Sequence, residues 1–192
     1  MKKIISLLLS IISISVYGQD FSLVVIPDTQ YETADTYGNP QMLYSQTQWI
    51  ADNKTDSNIV YVSHVGDITQ SNLTVEWQRA DTAMSIIENA DIPFSLCTGN
   101  HDGLDNTDFD DYFGADRFTD KSWYGGHYST SNVNNYSFFE EGGMEFMVIH
   151  LQYAVSSFNA ILHWASDLLK TYSEKRAIVV SHDILEPDGD FS

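Results

Sequence analysis

The chain has 192 residues and a formal charge of −18 at pH 7, from 27 acidic and 9 basic side chains. Hydrophobic residues make up 43% and aromatics 13%, enough for one domain with a packed core and too much for a disordered chain. So acidic a surface repels nucleic-acid phosphates and anionic lipid, which argues against both as partners; it still admits a phosphorylated substrate, because local cations invert the field inside a site.

Lys2 and Lys3 precede an apolar run from Ile4 to Val16, and Tyr17-Gly18-Gln19 follows. This is the basic, apolar and small-residue order of an export signal, and the run is short for a membrane span. Residues 1–18 are therefore expected to be a signal peptide and residues 19–192 a secreted or periplasmic domain. No cysteine follows the run, which argues against a lipid anchor. Cys97 is the only cysteine, so there is no intramolecular disulfide and no thiolate metal cluster; its apolar setting predicts a buried thiol.

Beyond the signal, continuous apolar runs predict buried strands over Phe21–Ile26, Ile59–Val65 and Pro93–Cys97. Tyr31–Pro40 is a polar loop. Gln41–Asn53 and Val75–Asn89 carry apolar residues at helical spacing: Met42, Leu43, Trp49 and Ile50 in the first, Trp77, Ala80, Met84 and Ile87 in the second. Strands alternating with helices imply crossover connections and a mainly parallel sheet, whose ligands sit beyond the strands' carboxyl ends. Asn106–Gly114 reads as one short helix and Trp123–Asn135 as a loop. Asn135–Glu140 and Met144–Leu151 form a predicted hairpin around Glu141-Gly142-Gly143, Asn159–Lys170 a helix, and Arg176–Ser181 a strand. The hairpin suggests a second sheet. After His182 the chain stops among turn-forming residues, which reads as a C-terminally incomplete domain.

Four of these strands end in polar clusters: Asp28-Thr29-Gln30, Gly66-Asp67, Gly99-Asn100-His101-Asp102 and Ser181-His182. Each alone is an ordinary turn; four at strand ends make a site. Carboxylate, imidazole and amide oxygen without thiolate suit a divalent ion such as zinc, manganese or iron. Asp28 and Gln30 face one side if strand geometry continues into the loop. Asp67 follows a glycine that allows a tight approach, and a carboxylate bridges two ions, so Asp67 is the candidate shared ligand.

These four clusters, in this order, resemble the ordered motifs of the calcineurin-like metallophosphoesterases, from Phe21 to the last residue. The resemblance implies an α/β fold, a four-layer α-β-β-α sandwich with two sheets. It also implies a dinuclear centre that hydrolyses phosphate mono- or diesters by metal-activated hydroxide attack. Asp28 and Gln30 would serve the first metal, Asp67 would bridge, and Asn100 and His182 would serve the second. His101 would be a catalytic helper at the leaving oxygen, with Asp102 orienting it. Two departures stand out. Gln30 replaces the family's histidine, a variant expected to loosen the first metal, and the final Gly-His-x-His motif is absent. The chain as it stands is therefore expected to turn over little. The competing expectation is a binding-only or inactive fragment of the same fold. Of the other histidines, His64 reads equally as support of the site or as simple packing, His127 as loop packing or as lining of the substrate pocket, His150 as a satisfied core residue, and His163 as a structural helix position.

Overall fold

The structure, a computed structural model, describes residues 20–103, 107–153 and 158–183. The expected signal peptide and the turn-rich terminus lie outside the described residues. Strands β1 (Ser22–Ile26), β2 (Ile59–His64) and β3 (Phe94–Leu96) form a parallel sheet in that order. A second sheet contains β4 (Tyr124–His127), β5 (Asn135–Glu141), β6 (Met144–Leu151) and β7 (Arg176–Ser181), antiparallel except for the parallel β6–β7 pair.

Three hydrophobic clusters stack these sheets into four layers. On one outer face α2 (Pro40–Asp52), α3 (Thr74–Asn89) and α4 (Thr107–Phe113) bring Ile50, Trp77, Met84 and Phe109 against Ile26, Val62 and Phe94 of the first sheet. Between the sheets, Tyr61 packs on Phe139, Phe146 and Val148. On the other outer face α5 (Phe158–Thr171) places Ile161, Ala165 and Leu168 against Met147, Ile149 and Leu151. Alternate residues of β6 thus serve alternate layers, as the period of a strand requires. The expected four-layer sandwich is what the chain forms.

Three details differ from the expectation. The buried stripe of α2 is Leu43, Thr47 and Ile50, while Met42 and Trp49 are exposed. The Tyr31–Pro40 loop holds a short helix, α1 (Gln30–Thr33), tied down by Thr33 Oγ1 donating to Ile68 O at 2.8 Å. The Trp123–Asn135 loop contains edge strand β4. Its glycines lack side chains to pack, and the Tyr136 ring fills their place: a Cβ on Gly125 would lie 2.4 Å from Tyr136 Cε2.

The intersheet layer also carries polar groups. Tyr61 OH bonds Ser137 Oγ, and Ser63 Oγ bonds His150 Nε2 at 2.8 Å. Burial pushes the imidazoles of His150 and His64 down to about 3, with His64 as a second influence on His150 and His182 on His64. Between pH 6.5 and 3 the unfolded chain therefore binds protons that the folded chain refuses, so stability falls as pH falls through that window. The expected loss is about 2 kcal/mol per histidine by pH 5. Urea midpoints measured from pH 7 to 5 should drop accordingly, and His150→Gln should remove about half of the slope. A pH-independent midpoint would contradict the neutral, buried assignment.

Candidate metal centre

Because β1, β2 and β3 are parallel, their carboxyl ends share one rim, and each gives way there to a polar loop. Pro27 stops β1, Asp28 follows with its side chain half exposed, and Thr29 turns the chain into α1. Thr29 N–H donates to Asp67 O at 3.0 Å. Gly66 N–H donates to His64 Nδ1 at 3.2 Å, so the His64 proton sits on Nε2 and is given to Thr29 Oγ1 at 3.0 Å. Thr29 Oγ1 in turn donates to Ile68 O at 3.2 Å. His64 therefore supports the site by fixing the turn that carries Asp28.

The loops after β2 and β3 touch backbone to backbone. Gly66 has φ +104°, and a Cβ there would lie 2.7 Å from Gly99 N. A Cβ on Gly99 would lie 2.2 Å from Asp67 Oδ1 and 2.3 Å from Asp67 N. Asp67 itself has φ +47°, a left-handed conformation that costs a non-glycine residue about 1–2 kcal/mol. Its carboxylate is fixed by His101 N–H, which donates to Oδ1 at 2.9 Å. Strain of this kind persists only where neighbours impose it, and Gly99 and His101 are those neighbours.

Asp102 does not orient His101. Its two oxygens accept from Gly99 N (2.8 Å), Ile68 N (3.1 Å), Thr69 N (2.7 Å) and Thr69 Oγ1 (3.0 Å). Burial pushes this carboxyl above its usual range, while the backbone donors of Gly99, Thr69 and Ile68 pull it back. The carboxylate buckles the β2 and β3 loops together, a role hidden in the sequence because all but one of its donors are backbone groups. Asp102→Ala strands those donors in a buried place, and about 3 kcal/mol or more of stability should be lost in urea unfolding. An unchanged midpoint would refute the clamp.

His101 is placed by its own ring. Nδ1 lies 2.9 Å from Gln70 O, and a carbonyl only accepts, so Nδ1 carries the proton and Nε2 keeps a lone pair. Gln70 gave no signal in the sequence because its backbone oxygen does this work.

His182 arrives from the other sheet, at the end of β7. Nδ1 lies 3.2 Å from Val65 O. Nε2 stands 3.1 Å from Asn100 Oδ1 and 3.5 Å from Asp67 Oδ2, so both ring nitrogens face oxygen acceptors. Asp28 Oδ1 is 3.7 Å from Nδ1 on the other side of the ring. Asp28, Asp67, Asn100 and His182 are thus brought together from four strand ends.

Among the described residues no three His, Cys, Asp or Glu side chains complete a metal site unaided. The set here needs the amide oxygen of Asn100. With it, an imidazole nitrogen, an amide oxygen and a carboxylate oxygen converge. Donors about 2.0–2.2 Å from one ion are separated by roughly 3–3.5 Å, which is the spacing seen. The donor set fits a divalent ion.

Gln30 departs from the expectation. The strand ends at Ile26, so Asp28 is exposed while Gln30, the first residue of α1, is buried. Its Oε1 has no hydrogen-bond partner, an unsatisfied buried acceptor of the kind a cation would complete. Of the remaining histidines, His150 lies between the sheets, His127 bonds Tyr124 OH through Nδ1 at 2.9 Å, and His163 is exposed on α5. Cys97 is buried and burial pushes its thiol far up, so it is inert packing.

Residues 21–190 match the model of the calcineurin-like phosphoesterases. The chain belongs to the calcineurin-like phosphoesterase family. Its phosphoesterase relatives are hydrolases. The chain is 33% identical over 178 residues to an uncharacterized protein, YvnB, of Bacillus subtilis (strain 168). That match covers 90% of this chain and 13% of the relative's length. In fold, it is similar to purple acid phosphatase PPD1 from seeds of yellow lupin (Lupinus luteus), with a TM-score of 0.51 and 19% identity over 88% of this chain and 32% of that one. It also matches a dimetal phosphatase from Danio rerio at a TM-score of 0.47 and 13% identity, over 87% of this chain and 71% of that one.

Proposed function

We propose that the protein is an exported, metal-dependent phosphoesterase that hydrolyses phosphate mono- or diesters at a dinuclear centre. The observation that carries the reading is the convergence of His182 Nε2, Asn100 Oδ1 and Asp67 Oδ2, with Nδ1 of the same ring turned to Val65 O. Asn100 and His182 would hold one ion, Asp28 and Gln30 the other, and Asp67 would be shared, with manganese, zinc and iron all suited to such donors. Two ions so held would bind a phosphate ester and supply hydroxide at neutral pH.

The chain's own residues then do the positioning and the proton work. His101 N–H fixes the rotation of the Asp67 carboxylate through Oδ1, leaving Oδ2 turned toward His182. His101 Nε2 is the free position of its ring, and a proton carried there passes to the departing alkoxide as the ester bond breaks. The contact of Nδ1 with Gln70 O holds the ring in place. Export is supported by Lys2-Lys3 and the apolar run that follows.

The test is hydrolysis of p-nitrophenyl phosphate and its bis-ester by the full-length protein, after chelation and then with added manganese or zinc. Turnover that appears only with the metal supports the reading. Metal-independent turnover, or none with any of these ions, contradicts it.

A further inference from the structure

Ordering His182 is a separate problem from supplying it. The residue follows β7, which among the described residues ends its sheet with β6 beside it on one side. Contacts of Nδ1 with Val65 O and of Nε2 with Asn100 Oδ1 set the rotation of the ring about its Cβ–Cγ bond. Tyr153 packs against the ring so set. Its ring meets the imidazole in a T-shaped contact, with centroids 6.1 Å apart and planes at 70°. Such aromatic edge contacts have a preferred geometry.

The backbone presents Tyr153 there by construction. Tyr153 N–H donates to Thr98 O at 2.9 Å, the residue just before Gly99, so the end of β6 is tied to the loop that carries Asn100. One residue earlier, Gln152 and Asn134 form a reciprocal buried pair. Asn134 Nδ2 donates to Gln152 Oε1 at 2.6 Å, and Gln152 N–H donates to Asn134 Oδ1 at 3.0 Å. Two buried amides and a loop carbonyl thus fix the exit of β6, while the Tyr153 ring remains only half buried.

We infer that Tyr153 is a positioning residue for His182, holding the imidazole so that Nε2 faces Asn100 and Asp67. The inference rests on the metal reading for its consequence, though the placement of the ring stands apart from it.

The experiment uses the full-length protein, stripped of metal, and reads two quantities. NMR of the histidine ring protons reports the Tyr153–His182 contact through the ring-current shift, with exposed His163 as internal reference. Calorimetric titration with zinc reports affinity. In Tyr153→Ala the His182 resonances should move, the His163 resonances should not, and zinc affinity should fall about 2–10-fold, the size of one aromatic edge contact. Tyr153→Phe should keep both wild-type values, because the ring and not the hydroxyl makes the contact. Unmoved His182 resonances in Tyr153→Ala, or wild-type zinc affinity in that variant, would overturn the inference. Wild-type protein that bound no zinc would instead sink the metal reading, and the resonances alone would then decide the placement of His182.

Discussion

Asp67→Asn is expected to give a folded protein that has lost metal-dependent phosphoesterase activity by at least about a hundredfold. Asparagine tolerates the left-handed backbone at φ +47° and can still accept the His101 N–H bond through its carbonyl oxygen. What it removes is the negative charge turned toward His182 and Asn100. A loop carboxylate there without a cation would be dispensable, and Asp67→Asn would then leave activity intact. Asp67→Ala should abolish activity too, with added loss of stability from the vacated His101 N–H. The pair separates charge from structure: equal melting temperatures for wild type and Asp67→Asn, with turnover gone, place the defect in the chemistry.

Gly99→Ala should act on the same carboxylate from behind. The new methyl group would stand 2.2 Å from Asp67 Oδ1, against side chain and backbone that have no room to withdraw. Overpacking of this kind costs about 1–3 kcal/mol, which lowers the melting temperature by roughly 2–4 °C per kcal/mol in a domain of this size. Asp67 is displaced with its loop, so metal affinity should fall further than the stability loss alone predicts. Thermal unfolding with and without saturating zinc makes the distinction. Wild type should gain stability from zinc and Gly99→Ala should gain little. An alanine variant with wild-type melting and wild-type zinc stabilisation would mean that the two loops are not in the contact described.

The elements that were legible in the sequence are those whose local chemistry and tertiary role agree. β2 and β3 are largely buried, and β1 turns Leu23 to one layer and Val24 and Ile26 to the other while leaving Val25 exposed, so they read as apolar runs, and their terminal glycine, proline and acidic residues mark the loops directly. The four polar clusters were visible for the same reason. Other features were set by partners remote in sequence. β4 is a strand because β5 pairs with it and Tyr136 covers its glycines, and nothing within Tyr124–His127 announces that. Asp28 is exposed and Gln30 buried because α1 begins at residue 30, held by Ile68 O across the rim. Asp102 looked like a reactive carboxylate, yet its donors are mostly backbone N–H groups that exist only once the Gly66–Thr69 turn has formed. Tyr153 meets His182 only because two strands of the second sheet end side by side.

The central claim is that Asp28, Gln30, Asp67, Asn100 and His182 hold divalent metal. Elemental analysis of the purified full-length protein, beside its Asp67→Asn and His182→Ala variants, tests it most directly. Wild type should carry close to two equivalents of manganese, zinc or iron after reconstitution and dialysis, and Asp67→Asn should lose both because it is the shared ligand. His182→Ala should lose at least one. Wild-type protein that retains no metal, or an Asp67→Asn variant that retains as much as wild type, would contradict the account.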